Sequence, residues 1–190
     1  MKSQASGRKA ADPSAPPRIP KLTIAARQRA VAYDHPRLVQ LVQAALPLCL
    51  EVARRRSGPL PAFERIECTV VSSRMMARVH RDHLQIAGPT DVITFPYGEI
   101  LVCAAIAQAR GAEFGHDTTT ELALYLIHGL LHLSGHDDLE PVAAAAMARE
   151  QTRITKAAIR ALPKVSCPQV PPTKGQPASP VCLPDGLVGE

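Results

Sequence analysis

The chain reads as an α/β (α+β) fold: one mixed, mostly four-stranded sheet packed with helices, with a histidine-bearing helix buried among them. Three observations carry that reading. Short β-branched runs alternate with longer stretches of helical period. Two of the short runs, residues 91–95 and Glu99–Cys103, flank Pro96-Tyr97-Gly98, which is a strong hairpin signal. Residues 122–133 are apolar except for His128, with Gly129 beside it, and His132; a helix apolar nearly all round is a buried one.

The elements follow in order. Residues 22–31 make a first strand. Residues 36–56 repeat apolar side chains at Leu38, Leu41, Val42, Ala45, Cys49, Val52 and Ala53, a helical period, and Pro47 should kink that helix. Residues 66–72 are β-branched and read as a second strand. Ser73 is expected to cap a short helix over 74–84. After the hairpin comes a helix over Ala104–Phe114, stopped by Gly115. Thr118-Thr119-Thr120-Glu121 fits a capping box, with Thr118 as the cap and Glu121 reaching back to it, and opens the apolar helix. Pro141 in a first turn opens a last helix to about residue 162. Residues 1–20 and 163–190 lack periodicity and are rich in Pro, so both read as disordered tails, the first one basic. Residues 21–162 are left as one folded domain.

Composition narrows the class. With 190 residues there is enough chain for one real core, and with no Trp and 3% aromatics that core must be aliphatic. The formal charge of +5 suits an anionic partner without requiring one. Five cysteines, none in a C-x-x-C pair, argue against a disulfide framework and a thiolate zinc site, and read as reduced thiols of a cytoplasmic protein. No apolar run follows the first basic residues, as a secretory signal would need, and none is long enough to span a membrane.

The chemistry concentrates in residues 128–138. His128 and His132 lie four apart and share one helical face. Gly135 can end the helix in a left-handed turn and reverse the chain. Asp138 can then bring a carboxylate to the same point, giving three ligands for one Zn²⁺ ion and a fourth position for water. If the helix ran on, His136 would follow His132 instead; Gly135 argues otherwise. That leaves His136 to face the ligands or the substrate and Asp137 to orient an imidazole. The same histidine spacing occurs in a class of zinc peptidases, where a glutamate after the first histidine is the general base. Here that position is Gly129, so a peptidase would lack its proton acceptor.

The segment from His128 to Asp137 matches, position for position, the H-G-x-L-H-L-x-G-[YH]-D signature of the YbeY family of bacterial single-strand-specific endoribonucleases, the rRNA maturation factors. Upstream, Pro89-Thr90-Asp91-Val92-Ile93-Thr94-Phe95-Pro96 resembles the family's P-T-D-V-[LI]-[ST]-F-P strand. Gly98-Glu99-Ile100 resembles its G-[DE]-I strand, and Gly115-His116 and Glu121-Leu122 keep its order. The likeness spans roughly residues 22–162. Two positions differ: the usual third ligand of the family is histidine where this chain has Asp138, and an arginine five residues before the P-T-D-V proline is Leu84 here.

The resemblance implies a zinc-dependent hydrolase acting on single-stranded RNA. It further implies a role in 16S rRNA 3′ end processing and in ribosome biogenesis or quality control, with the small ribosomal subunit and its assembly factors as partners. Zinc on His128, His132 and Asp138 would polarise a phosphoryl oxygen or activate a water. Glu99, Asp91, His136 and Asp137 are candidate proton carriers. Two other readings stand beside it, a metallopeptidase of the histidine-helix type and a non-catalytic ribosome-assembly factor that keeps the metal for stability.

Two basic stripes suit RNA. Arg74, Arg78 and Arg81 share one side of the short helix, as candidates for RNA phosphate. Arg149, Arg153, Lys156 and Arg160 are spaced similarly on the last helix, and Arg54, Arg55 and Arg56 end the first. A solvated face accounts for such runs equally well. Few aromatics are on offer for stacking, and Phe95 is expected in the core, so binding should be led by the backbone.

Overall fold

A computed structural model describes residues 19–163. The expected tails therefore lie outside the described residues, apart from residues 19, 20 and 163. The elements run β1 (Lys21–Arg27), α1 (His35–Arg56), β2 (Arg65–Val71), α2 (Ser73–Leu84), β3 (Val92–Phe95), β4 (Glu99–Cys103), α3 (Ala104–Phe114), α4 (Thr118–Leu133) and α5 (Pro141–Ala161), with a 3-10 turn at Leu60–Ala62. The sheet has the order β1-β2-β4-β3; its first three strands are parallel and β3 is antiparallel to β4. This is the mixed four-stranded sheet the sequence predicts.

Alternation along the strands sends side chains to two unequal cores. Ile66, Cys68, Val70, Ile100 and Val102 face the large one, built with α1, α4 and α5. Val71, Ile93, Leu101 and Cys103 face a small one, closed by Met76 of α2. In α4, Leu122, Leu126, Ile127, Leu130 and Leu131 have no exposed surface. Burying each contributes about 1.5–3 kcal/mol before the cost of ordering the chain, so α4 is the centre of the molecule.

Local differences from the sequence reading have local causes. The cap of α2 is Ser72, whose Oγ accepts from the Met75 amide at 3.3 Å, and Ser73 starts the helix. The cap of α4 is Asp117, not Thr118: its Oδ1 accepts from the Thr120 amide at 2.9 Å, and a carboxylate at a helix N-terminus also meets the helix dipole. Glu121 then does not reach back; its Oε2 accepts from His116 at 3.0 Å. The first strand stops at Arg27, short of the expected residue 31. The first helix continues through Pro47. The hairpin turn places Gly98 at φ 98°, where its amide donates to the Phe95 carbonyl at 3.1 Å. No helix among the described residues is long and apolar enough to cross a membrane. Cys49, Cys68 and Cys103 are buried and unpaired, and burial pushes the Cys49 and Cys68 thiols up to about 12.

The C-terminal end of α4 is clamped to the end of α1. The fully buried Ser134 hydroxyl bridges the Leu130 carbonyl at 2.7 Å and the Cys49 carbonyl at 3.0 Å. Gly58 lies so close that a Cβ there would stand 2.2 Å from the Ser134 carbonyl carbon. Gly135 at φ 89° then turns the chain out of the helix, as its place in the sequence predicts. Gly58→Ala should lower unfolding stability by about 1–3 kcal/mol, the usual cost of overpacking. Chemical denaturation checks this, and a neutral result would show that the α1–α4 junction gives way easily.

Candidate metal centre and its cleft

One helical turn places His128 and His132 side by side on α4, with ring centroids 4.7 Å apart. Their Nε2 atoms lie 3.0 Å from each other. The turn at Gly135 brings Asp138 back, with its Oδ2 3.6 Å from His128 Nε2 and its Oδ1 3.9 Å from His132 Nε2. One ligand atom from each of the three residues lies within 4.8 Å of the others.

The hydrogen bonds behind the rings decide what those nitrogens present. His132 Nδ1 lies 3.2 Å from the His136 carbonyl, which can only accept, so Nδ1 carries the proton. His128 Nδ1 lies 3.1 Å from Gln151 Oε1. The Gln151 amide nitrogen donates to the Leu124 carbonyl at 3.3 Å, which fixes the amide with its oxygen toward the ring. Both rings are thereby Nδ1–H tautomers, and both Nε2 lone pairs point into the same space. Two lone pairs 3.0 Å apart repel unless a positive charge sits between them. Ligand nitrogens around a tetrahedral zinc at ordinary bond lengths stand ~3.3 Å apart, so the spacing fits a metal ion with little movement. The imidazole of His132 is also kept neutral. Burial and the neighbouring His128 hold its pKa below the ordinary value, and Asp138 opposes them only in part.

The pair opens on a cleft of about 850 Å³. Edge strand β3 forms one wall, with Asp91, Thr94 and Phe95; Tyr125, Gln151, Leu84 and Asp138 close the rest. Phe95 thus borders both the small core and the cleft, and it stacks on the exposed Tyr97 at 5.2 Å.

Other residues singled out in the sequence lie elsewhere. Glu99 does not line the cleft; it sits at the hairpin end and accepts from the Tyr97 hydroxyl at 3.2 Å. Asp137 is exposed and accepts from the Leu139 amide at 3.3 Å. The imidazoles are oriented instead by Gln151 and the His136 carbonyl. The ring of His136 is buried in a second, smaller cleft, so only its backbone meets the histidine pair. Arg74, Arg78 and Arg81 are exposed on α2, with Asp82 near the latter two; the α2 side chains that border the cleft are His83 and Leu84. Gly129 faces the sheet: a Cβ there would meet Ile100 Cγ2 and Thr94 Oγ1, each at 2.8 Å. A glutamate has no room at that position, which removes the peptidase arrangement on steric grounds.

Sequence reasoning missed Gln151 and Tyr125. Gln151 had a visible signal: Met147, Ile154, Thr155 and Ala158 are the buried residues of α5, and Gln151 is a polar residue at helical spacing from Met147 and Ile154. Tyr125 was hidden as one more apolar position of α4. Burial, Glu121 and Asp91 raise its hydroxyl well above the usual range, so it stays a hydrogen-bond donor.

The family model described as endoribonuclease YbeY matches residues 23–158. A protein named endoribonuclease YbeY from Sulfurimonas denitrificans is 35% identical over 122 residues, covering 60% of this chain and 86% of that one. Its namesake from Micrococcus luteus is 32% identical over 123 residues, covering 55% and 78%. The solution structure of TM1509 from Thermotoga maritima aligns with 72% of this chain and 88% of its own, at 23% identity and a TM-score of 0.47.

Two outcomes follow from this geometry. Gln151→Leu should weaken affinity for a divalent metal ion about 10–100-fold in a competition titration while leaving the fold intact, because it frees the His128 ring. In chelator-treated protein, His132 and His136 are both held below the ordinary histidine pKa, so the unfolded chain binds more protons as pH falls. The melting temperature should therefore drop between about pH 7.5 and about pH 5.5, and His132→Gln should flatten that slope.

Proposed function

This chain belongs to the endoribonuclease YbeY family, and from that premise we propose that residues 21–162 form a zinc-dependent, single-strand-specific endoribonuclease domain. Its work is rRNA maturation in the cytoplasm, at the 3′ end of 16S rRNA, and ribosome biogenesis or quality control, with the small ribosomal subunit and its assembly factors as partners. The observation that carries the reading is the convergence of two Nε2 lone pairs and the Asp138 carboxylate at a cleft bordered by an edge strand.

A zinc ion held by His128, His132 and Asp138 would supply Lewis-acid charge for a phosphoryl oxygen and a water acidified toward neutrality. The chain supplies the rest. Gln151 and the His136 carbonyl keep the imidazoles in the liganding tautomer. Tyr125 offers a hydroxyl that keeps its proton. Asp91 lines the cleft where Glu99 and Asp137 do not, so Asp91 would carry the proton. Its Oδ1 is held by Thr90 and the Val92 amide, at 3.0 and 2.8 Å, which fixes the carboxyl in place. Arg74, Arg78 and Arg81 would meet RNA phosphates outside the cleft. Their exposure suits backbone contact without base reading.

Asp138 in place of the family's histidine lowers the net charge of the site. A less positive site acidifies bound water less, so the chain should work more slowly at neutral pH than an Asp138→His variant.

Single-stranded RNA oligonucleotides should be cut internally, duplex RNA should resist, and a chelator should stop the reaction until zinc is returned. Asp138→Asn should cut at least about 100-fold more slowly, as loss of a metal ligand predicts. The contrary result is protein whose melting temperature falls on metal removal while no RNA is cleaved in either state. It would mark a non-catalytic assembly factor.

A further inference from the structure

The second cleft, of about 470 Å³, lies behind the loop that carries Asp138. Three elements build it: Arg55 and Arg56 from the last turn of α1, Arg149, Glu150 and Arg153 from α5, and His136 from the loop. Four guanidinium groups thus face one carboxylate. Glu150 is already shared, at 2.8 Å from Arg153 and 3.5 Å from Arg55. Arg56 Nε donates to the Gly135 carbonyl at 3.0 Å, which leaves its terminal nitrogens free of that bond. Arg149 has no ion pair among the described residues. His136 lines the same cleft with 6% of its surface exposed, and its Nδ1 has no hydrogen-bond partner. Positive charge gathered in a concave site with an unmet buried polar atom is the arrangement of a receptor for an anion.

Which anion follows from where the cleft lies. The His136 carbonyl orients His132, and Asp138 is two residues further along the same loop. On α5, Gln151 lines the first cleft while its neighbour Glu150 lines the second. The two clefts therefore share this loop and α5 as walls. A strand whose backbone passes the histidine pair and continues over the loop meets the guanidinium groups next. Their planar forks suit phosphate oxygens bidentately, and the cleft admits a phosphate group more readily than a folded protein surface.

We propose that the cleft between α1, α5 and the Asp138 loop binds a backbone phosphate of the same single-stranded RNA strand that enters the first cleft, and so sets the strand's register. This rests on the endoribonuclease reading above. Register set at a distance from the reacting centre appears in KM more than in the chemical step.

The test is equilibrium binding of a fluorescent 2′-O-methyl single-stranded oligonucleotide, which resists cleavage, to the full chain across a salt series. Arg149→Gln with Arg153→Gln should weaken binding about 10-fold and lower the slope of log K against log salt by about 0.7, one phosphate contact's worth for single strands. A matched control, Arg65→Gln with Arg110→Gln, removes the same charge and two exposed ion pairs elsewhere and should stay within about twofold. Arg149→Gln alone removes an exposed side chain without a partner, so it folds and still reads the site. Equal losses in both double variants, or an unchanged slope in the first, overturn the proposal. So does a variant that keeps its RNA affinity while losing binding to polyglutamate, which would make the cleft a site for acidic protein. Wild-type protein that cuts RNA while the variants bind normally sinks this inference alone. Wild-type protein that neither binds nor cuts RNA sinks the endoribonuclease reading with it.

Discussion

Everything chemical in this molecule depends on two hydrogen bonds that lie behind the histidine rings rather than between them. The Gln151 amide oxygen and the His136 carbonyl each accept a hydrogen bond from an Nδ1–H. Either bond alone would leave one ring free to turn. Together they aim two lone pairs at one point, 3.0 Å apart, and burial discourages protonation of His132. Folding thus builds a local repulsion that a cation relieves, so metal affinity and fold stability are linked through the same few atoms.

That arrangement needs the C-terminal half of α4 to be held from three sides. The sheet holds it at Gly129, where Ile100 and Thr94 approach too closely for any side chain. The end of α1 holds it through Ser134 and Gly58. The last helix holds it through Gln151, whose amide bridges the Leu124 carbonyl and the His128 ring. Helix against sheet at Gly129 leaves no room for the glutamate a peptidase would carry there, and Asp91 is the carboxylate that the strand side brings to the cleft. The strength of the clamp also explains why a loop residue as exposed as Asp138 can be placed near the pair. Its position is set two residues earlier by the His136 backbone, and its own contacts contribute little.

Much of this was legible in the residues. The spacing of His128, His132 and Gly135 states a helix face and its end, and periodicity placed α4 in the core. The hairpin around Gly98 was readable because a turn there needs a residue at positive φ. What escaped was information carried by partners distant in sequence. Gln151 is 23 residues from the ring it orients, and no local spacing joins them. His136 and Asp137 both look directed at the histidine pair on paper; the turn at Gly135 sends one ring inward to a basic cleft and leaves the other side chain in solvent. The cap of α4 was misplaced by one residue because Asp117 and Thr118 can both accept an amide, and the carboxylate wins at a helix N-terminus.

The most direct measurement is an anomalous diffraction map at the zinc edge, from crystals of the protein supplied with zinc. One peak is expected, bonded to Nε2 of His128, Nε2 of His132 and a carboxylate oxygen of Asp138, with Gln151 still against the His128 ring and the His136 ring turned away. A peak held through Nδ1 of either histidine, a peak on the His136 ring, or no peak at these residues would contradict it.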